Sequence, residues 1–412
     1  MDDTGGRSDV WSGNTLGLDG SRVIDRTIYS DTQLFEAEQE ELFAKTWQWM
    51  AHESELPEFG DYVTATIAGR PVVVVRGEND VLTAFYNTCT HRGAIIAAGQ
   101  KGNCQGAFTC LYHAWSFDTE GRLASVPKPE AYGEGIKKGC YDIPKVRAEV
   151  FAGNVFVNLD PDAEPLADYL GAAKTWIEKC TADWEALGRV RWVVEGNWKL
   201  WHENFRDNYH PMFAHQVLTL NYQGVKIDGE NHDLQQGHSV MPFPPQGNPA
   251  NFAAAVRRLT GKPVESRPRS EGGTPTEDEL FMIMAIFPNL DFQYGTAYGL
   301  HSMLQTVRPL GVNRAVVEMT VFGPKGESAE DRQARLESAL DGQASSGKIS
   351  GDDNEAAKRC SVGFGALPAV RWSNIDRGQE PGFSGHKNDE YSLRGFYAEY
   401  KRRLGDYLAA LV

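Results

Sequence analysis

One arrangement of cysteine and histidine constrains this chain more than any other feature. Cys89-Thr-His91 is followed, after eighteen intervening residues, by Cys110-Leu-Tyr-His113. The four side chains divide into a cysteine pair and a histidine pair, which suits a [2Fe-2S] cluster in which one iron takes two cysteines and the other two histidines. Neutral imidazole in place of thiolate raises the reduction potential of such a cluster. The pattern therefore predicts an electron relay with these four residues as ligands.

A structural zinc site is the competing interpretation, because two cysteines and two histidines also satisfy tetrahedral zinc. Zinc ribbons and fingers usually place both cysteines of a pair together and the histidines later. In this sequence cysteine and histidine alternate within each half, and that order favours the cluster.

Composition narrows the remaining possibilities. A chain of 412 residues with 41% hydrophobic residues can form two or three domains with a large core. Its net charge of −15 argues against nucleic acid or an anionic membrane surface as a partner. No run approaches eighteen apolar residues, and residues 1–20 lack an apolar signal segment, so we expect a cytosolic protein without a membrane span.

The first half of the chain predicts a small all-β domain. Residues 1–20 resemble a flexible arm, and 32–47 have the spacing of an amphipathic helix with Asp31 as its N-cap. Short β-rich runs at 62–67, 71–76 and 81–86 then lead to the cluster loops. We therefore divide the chain into an arm and helix at 1–48, a β domain at 49–160 and a larger domain at 161–412.

The second half predicts an antiparallel sheet flanked by helices, so the expected class is α+β. Helical periodicity returns at 166–179, and residues 224–277, rich in glycine, proline and asparagine, predict one long functional loop. Four β-type runs follow, and the last two helices close the chain. The strands are predicted at 281–287, 290–294, 300–307 and 315–322, and the helices at 329–340 and 391–411.

A second metal site is indicated by His210 and His215. Five residues of regular helix rotate by about 500°, which leaves the two imidazoles poorly aligned. Pro211 interrupts the helix, because it has no N–H for the carbonyl of Asp207, and a local bulge could bring both rings to one point. Two imidazoles with one carboxylate form the facial triad of non-haem Fe(II) oxygenases, in which the other positions stay open for dioxygen.

Both motifs resemble one family. The segments Cys89-Thr-His-Arg-Gly93 and Cys110-Leu-Tyr-His-Ala-Trp115 resemble the cluster loops of Rieske proteins, especially the ring-hydroxylating oxygenases. The stretch from Glu203-Asn-Phe through Asp207 and Tyr209-His210 to His215 resembles the iron-binding segment of Rieske oxygenase large (alpha) subunits. The resemblance extends from Asp31 onward, with one residue fewer between Phe205 and Asp207 than in naphthalene-type members.

The resemblance implies the iron ligands. That family binds iron through histidines at the positions of His210 and His215. Gly351-Asp-Asp-Asn-Glu355 resembles its acidic segment, whose second acid ligates iron, so the third ligand is predicted to be Asp353. Asp352 and Glu355 are expected to be solvated or helix-capping, and Glu203, about two turns before His210, is the rival ligand.

The resemblance also implies the assembly and the fold. Alpha subunits form trimers, with or without a small beta subunit (α3β3), in which the cluster of one chain faces the iron of its neighbour. Catalytic roles are predicted for Asn204 and for Asp207, which would bridge the two centres. The larger domain is expected to have a helix-grip (SRPBCC-like) fold that includes residues 1–48. No Gly-x-Gly-x-x-Gly follows a strand, so electrons from NAD(P)H would need a separate reductase, with or without a ferredoxin.

Six residues are candidates for contacts with the substrate. Three apolar side chains can line a pocket and three polar ones can hold a carboxylate or hydroxyl, although each is also explained as core or structural. These candidates are Phe205, Phe287, Ile349, Gln305, Arg308 and Arg394. The predicted function is a terminal oxygenase that hydroxylates an aromatic acid. The alternatives are a Rieske monooxygenase or demethylase of a methylated or non-aromatic substrate, and a Rieske electron carrier.

Overall fold

The computed structural model of the chain describes residues 23–132, 135–137, 139–215, 231–243, 281–295, 302–367, 369–378 and 388–409. The predicted arm at 1–20 lies outside these residues. The described chain forms two compact units. The smaller consists of Gln39–Leu170 and Ile177–Glu185, and the larger of the described parts of Met1–Glu38, Gly171–Trp176 and Ala186–Val412. The smaller unit is therefore an insertion in the chain of the larger one.

The described residues form nineteen strands and eight α-helices, which we number in chain order. The strands are β1 Val23–Asp25, β2 Gln48–His52, β3 Asp61–Ile67, β4 Arg70–Arg76, β5 Leu82–Tyr86, β6 Lys101–Asn103, β7 Ala107–Thr109, β8 Ser116–Asp118, β9 Leu123–Ser125, β10 Lys145–Phe151, β11 Asn154–Asn158, β12 Trp184–Val194, β13 His232–Gln235, β14 His238–Phe243, β15 Phe281–Ile286, β16 Leu290–Gly295, β17 Ser302–Gly311, β18 Arg314–Pro324 and β19 Trp372–Asn374. The helices are α1 Thr32–Ala37, α2 Leu166–Leu170, α3 Ala173–Thr181, α4 Trp198–Asn204, α5 Pro211–Ala214, α6 Ala329–Gln343, α7 Ser350–Gly363 and α8 Tyr391–Ala409.

The smaller unit is an all-β domain built on two sheets. Its main sheet has the strand order β2-β11-β10-β5-β4-β3-β6, and β7, β8 and β9 form a second sheet. β4 carries four consecutive, fully buried valines, and because side chains alternate along a strand they fill both sides of the sheet. Val72 and Val74 enter one core, whereas Val73 and Val75 enter another that also contains Cys89 and Cys110. The predicted cluster loops are thus anchored by their cysteines in a hydrophobic core.

The larger unit is organised around a seven-stranded sheet. Its order is β12-β18-β17-β16-β15-β14-β13, and the neighbours from β13 to β18 pair antiparallel. Ser239, Ala285, Asp291 and Gln305 lie in register across four adjacent strands, so their side chains share one face. Trp201 of α4 donates a hydrogen bond of 3.0 Å to Gln305 Oε1 on that face. α8 packs against β13 and β14, and α6 packs against β18.

The predicted α+β class, with a small β domain inserted in a domain of antiparallel sheet and helices, is confirmed. The strands predicted at 62–67, 71–76 and 81–86 are β3, β4 and β5, whose ends differ by one residue at most. The four strands predicted beyond residue 280 correspond to β15 to β18, and the last two predicted helices correspond to α6 and α8.

Two local predictions need correction. The helix predicted at 32–47 begins at Thr32, with Asp31 accepting from Leu34 N–H at 2.7 Å, but it continues as a π-helix at Glu38–Phe43. The long loop predicted at 224–277 is wrong for the described residues 231–243, where β13 and β14 form a hairpin. β13 is a mostly exposed edge strand, so its polar sequence lacks the apolar alternation that indicates a strand.

Candidate metal centres

The two loops of the smaller unit share one pattern of backbone hydrogen bonds. In each, the cysteine N–H donates to the carbonyl of the fifth residue further on, and the N–H of the fourth residue donates back to the cysteine carbonyl. These bonds are Cys89 to Ala94 (2.8 Å), Gly93 to Cys89 (2.8 Å), Cys110 to Trp115 (2.8 Å) and Ala114 to Cys110 (2.9 Å). Both fourth residues are left-handed, with φ of 76° at Gly93 and 56° at Ala114. Two copies of one turn thus present the four predicted ligands.

The side chains of the two loops converge. The rings of His91 and His113 have centroids 4.6 Å apart, and Trp115 stacks on His91 at 4.8 Å. Burial, together with the adjacent Cys110 thiol, raises the pKa of Cys89. His113 Nδ1 is buried and has no hydrogen-bond partner in the described structure. A buried imidazole nitrogen that has no hydrogen-bond partner is consistent with a metal ligand. The two cysteines and two histidines therefore suit a [2Fe-2S] cluster.

The mononuclear site is built on α4, α5 and the start of α7. α4 ends at Asn204, and a separate one-turn helix, α5, begins at Pro211, where the missing proline N–H costs no helical hydrogen bond. His210 and His215 lie directly before and after this turn. The predicted interruption at Pro211 is wrong in position: α4 already ends at Asn204, and Pro211 begins a second helix instead of forming a bulge in one.

Three donor atoms meet at this site. His210 Nε2 lies 3.5 Å and His215 Nε2 lies 3.3 Å from Oδ1 of Asp353, and one ligand atom from each residue falls within 4.8 Å of the others. The ring centroids of the two histidines are 5.3 Å apart. His215 and Asp353 are buried and His210 is partly so. Two imidazoles and one carboxylate that converge in this way are the donor set of a non-haem Fe(II) centre.

The Nδ1 atoms of both histidines, which lie across the ring from the Nε2 atoms near Asp353, have polar partners of their own. His210 Nδ1 lies 2.6 Å from the carbonyl oxygen of Asp207, which can only accept, so that nitrogen carries the proton. His215 Nδ1 lies 3.3 Å from Oδ2 of Asp352. When the rings are neutral, both Nε2 atoms are left with lone pairs for a metal.

Charge around His210 also bears on metal binding. Burial opposes its protonation, but hydrogen bonding and the charges of Asp207 and Asp353 outweigh burial and raise the pKa of His210 to about 9. A metal ion bound by His210 would have to replace that proton, so binding would release a proton at neutral pH.

The other predicted residues of this site lie at its edges. Asn204 Nδ2 donates to Asp353 Oδ1 at 3.2 Å. The Asp207 side chain is 19% exposed, and its Oδ2 lies 3.7 Å from His210 Nδ1. Phe205 directly follows α4 and Ile349 directly precedes α7, and both are half-buried.

The remaining substrate candidates are surrounded by the protein. Gln305 is fully buried and accepts from Trp201 Nε1. Phe287 is fully buried, with its ring 5.3 Å from that of Phe396.

The two arginine candidates already have acceptors. Arg308 Nη1 lies 3.5 Å from Glu318, and Arg189 and Arg191 bind the same carboxylate. Arg394 Nη1 donates at 2.9 Å to the carbonyls of Ile375 and Arg377.

Several buried polar residues near this site were missed from sequence. Arg206, next to Asp207, is fully buried and donates from Nε to His202 Nε2 at 3.0 Å, while His202 Nδ1 lies 2.9 Å from Asp291. Burial and the Arg206 guanidinium lower the pKa of His202, so this ring is neutral. Glu203, the rival ligand, instead shares hydrogen bonds with Tyr29 and Tyr397 through one carboxyl oxygen. The sequence signal for these residues is that a short helix with two tryptophans also carries Lys199, His202 and Glu203.

Known proteins support both centres. The family model for the Rieske [2Fe-2S] domain matches residues 46–146, and that for the ring-hydroxylating alpha subunit catalytic domain matches 181–406. The chain is 32% identical to the anthranilate 1,2-dioxygenase large subunit of Acinetobacter baylyi, over 87% of this chain and 81% of that protein. It is 39% identical to the biphenyl 2,3-dioxygenase alpha subunit of Rhodococcus jostii, over 92% and 88%. The crystal structure of naphthalene 1,2-dioxygenase from a Rhodococcus species bound to indole superimposes with a TM-score of 0.79 at 25% identity, over 98% and 99%.

The chain belongs to the Rieske ring-hydroxylating oxygenases, as an alpha subunit. It carries a [2Fe-2S] cluster in the Rieske domain and a mononuclear iron in the catalytic domain, and it acts as a terminal oxygenase supplied by electron-transfer partners. The family match argues against the zinc module and the simple electron carrier. None of the helices in the described ranges combines the length and the apolar character that a membrane span requires.

Proposed function

We propose that this chain joins both centres in one reaction, the hydroxylation of an aromatic acid. The residues of the cluster loops would hold a group that supplies single electrons, and the residues of the second site would hold an iron at which dioxygen is reduced beside the substrate. The ligands that we propose are Cys89, His91, Cys110 and His113 for the cluster and His210, His215 and Asp353 for the iron. The observation that carries this assignment is the convergence of three donor atoms within 4.8 Å while both histidine Nδ1 atoms are engaged elsewhere.

We propose different roles for the residues around the iron ligands, namely positioning of a ligand and exclusion of water. Asn204 donates to Asp353 Oδ1, so it holds that carboxylate toward the two Nε2 atoms. Phe205 and Ile349 are half-buried apolar residues at the ends of the helices that carry the ligands, and we propose that they limit water beside the iron. Three protein ligands leave the other coordination positions to dioxygen and solvent.

The aromatic acid is inferred from the relatives. An anthranilate dioxygenase at 32% identity supports an acid, whereas a biphenyl dioxygenase at 39% identity supports an uncharged ring. Oxygen uptake with anthranilate, benzoate and biphenyl, driven by a surrogate reductase, separates these classes. We expect coupled uptake and product with at least one acid. Turnover of biphenyl alone would overturn the acid while keeping the oxygenase. Product analysis also distinguishes a cis-diol from a monohydroxylated or demethylated product.

We propose that electrons pass between chains of a trimer, with or without a small subunit. Beside the cluster ligands, Leu111 is 84% and Tyr112 56% exposed, and beside the iron ligands Phe213 is 72% and Met212 51% exposed. Two neighbouring large side chains exposed beside each centre support the proposal that another chain covers these surfaces.

Complementation between inactive chains tests transfer between subunits. A chain with Cys89→Ser lacks the cluster, and one with His210→Ala lacks the iron. Mixed trimers should regain part of the activity if the cluster of one chain serves the iron of the next. Mixed oligomers that stay inactive, although both metals are present in the mixture, would place the transfer within one chain.

We propose that Asp207 connects the two centres, because its carbonyl holds His210 and its carboxylate lies beside the same ring. Asp207→Ala should keep both metals and a reducible cluster yet lose most turnover. Asp341→Asn, at an exposed acid on α6, is the matched control. Full turnover in Asp207→Ala would remove this role.

A further inference from the structure

Two consecutive acids contact the same imidazole from opposite sides. Asp352 and Asp353 lie in the first turn of α7. Asp353 Oδ1 lies 3.3 Å from His215 Nε2, the nitrogen that faces the proposed iron, and Asp352 Oδ2 lies 3.3 Å from Nδ1 on the far side of the ring. Adjacent helical residues point about 100° apart, so one turn of helix can reach both nitrogens. His215 is therefore enclosed by neighbouring carboxylates with different tasks.

The two histidines are held by different means. His210 Nδ1 is fixed by a backbone carbonyl, which the fold around α5 supplies whatever the side chain of Asp207 is. His215 Nδ1 lies against a side-chain carboxylate instead, and a carboxylate binds an imidazole N–H more strongly than a neutral carbonyl does. Removing one carboxylate can therefore weaken His215 as a ligand without disturbing His210.

Asp352 is 45% exposed, but the turn that carries it is held in place. Ser350 Oγ donates to Gln343 Oε1 at 3.2 Å, which joins the start of α7 to the end of α6. Asn354 accepts from Trp192 Nε1 at 3.2 Å and donates to Ser345 O at 2.8 Å. These bonds on both sides of Asp352 fix its backbone, so its carboxylate lies beside His215 without a large loss of chain entropy.

We propose that Asp352 is a positioning residue for iron: its carboxylate accepts from His215 Nδ1, fixes the tautomer with a free Nε2, and strengthens that nitrogen as a ligand. The inference rests on the proposed function, because it takes His215 as an iron ligand. It gives Asp352 a role in metal affinity rather than that of a solvated surface acid. Carboxylates in this position typically contribute 10- to 100-fold to metal affinity.

Metal binding without turnover tests the inference. The mononuclear iron is removed with a chelator from the full chain with its cluster intact, and Fe(II) or Co(II) is titrated anaerobically by equilibrium dialysis. Asp352→Ala should bind the metal about 10- to 100-fold more weakly. Asp352→Asn, whose amide oxygen still accepts from Nδ1–H, should fall between that variant and the wild type. The EPR signal of the Fe(II)–nitric oxide adduct should change in Asp352→Ala because the ring is less restrained.

The matched control is Glu355→Gln, which removes the same charge from the same helix at a residue that pairs with Arg359. If long-range charge alone attracts the metal, this variant should weaken binding as much as Asp352→Ala, and the inference fails. It also fails if Asp352→Ala binds within twofold of the wild type. If the wild type itself binds no second metal, the proposed function fails instead.

Discussion

We predict that stability depends on pH through the carboxyl group of Glu203, which contacts Tyr29 and Tyr397. Tyr29 Oη lies 2.8 Å from Glu203 Oε1 and 2.9 Å from Tyr397 Oη, and Tyr397 also hydrogen-bonds the same carboxyl oxygen. Three oxygens in mutual contact need three protons, and two tyrosines supply two. If Glu203 were ionised, one contact would place two lone pairs against each other. The geometry therefore predicts that Glu203 is protonated.

The raised pKa of Glu203 is consistent with a proton on its carboxyl group. Burial is the main cause that raises the pKa of Glu203, and the charge of Asp207 adds to it. The tyrosine O–H groups and Lys199 oppose the rise, and the resulting pKa is about 7. Because the folded-state pKa lies above the ordinary 4.5, the folded protein holds this proton more tightly than the unfolded chain. The resulting stability is fully present below pH 4.5 and is lost as pH rises through about 7. Between pH 5 and 8 the loss is roughly 2 to 3 kcal/mol.

Glu203→Gln removes this titration, because an amide keeps a donor and an acceptor but does not ionise. The wild type should lose roughly 2 to 3 kcal/mol relative to the variant between pH 5 and 8. Hydrogen exchange of the α4 peptide measures the opening free energy of this region at each pH. Glu195→Gln, at a side chain 69% exposed, is the control and should follow the wild type. Parallel pH dependences in the wild type and Glu203→Gln would refute the protonated carboxyl.

Three further substitutions test other contacts. Lys199→Met leaves the buried Glu38 carboxylate, 2.5 Å from the lysine Nζ, without its cation and should lower the free energy of unfolding by about 3–5 kcal/mol, read from the urea midpoint. Cys110→Ser should lose the cluster absorbance, and iron per chain should fall from about three to about one. Gly153→Ala should lower the melting temperature, because φ is 77° and a Cβ would overlap His52 Nε2.

Each of these has a matched control in the same chain. Lys45→Met breaks an ion pair of the same 2.5 Å length, to Glu41, but on the surface, and should cost less than about 1 kcal/mol. Cys104→Ser, at a half-buried cysteine between the cluster loops, should keep all its iron. Gly69→Ala has a similar φ of 71° with no atom within 4 Å of the added Cβ, so it separates backbone strain from the clash at Gly153. Equal losses within a pair would contradict the reasoning.

The metal-binding motifs could be predicted because their ligands are close in sequence. Cys89 with His91, Cys110 with His113, and His210 with His215 each fall within one turn or loop, so residue type and spacing carry the chemistry. Asp353 came from resemblance alone, because 138 residues separate it from His215 (353 − 215). The structure brings these residues together, while their role as ligands stays a prediction.

The buried polar contacts could not be predicted, because their partners are distant in sequence. Glu203 is 174 residues from Tyr29 and 194 from Tyr397. Helical spacing made Glu203 a rival ligand of His210, but the helix ends at Asn204, so that spacing no longer applies. The sequence predicts Asp352 as a solvated or helix-capping acid for the same reason: only the tertiary structure places His215 beside it.

The position of α4 explains why these contacts matter for iron. Its polar side chains, with that of Arg206 just beyond it, reach partners in distant parts of the chain, and hydrogen bonds between them depend on direction as well as distance. Any rotation of α4 would therefore break several of them together, which fixes the helix more sharply than apolar packing does. These contacts are Lys199 with Glu38, His202 with Asp291, Glu203 with Tyr29 and Tyr397, Asn204 with Asp353, and Arg206 with Ser239. Because the short segment after α4 leads directly to His210, we expect the direction of this proposed ligand to depend on these contacts.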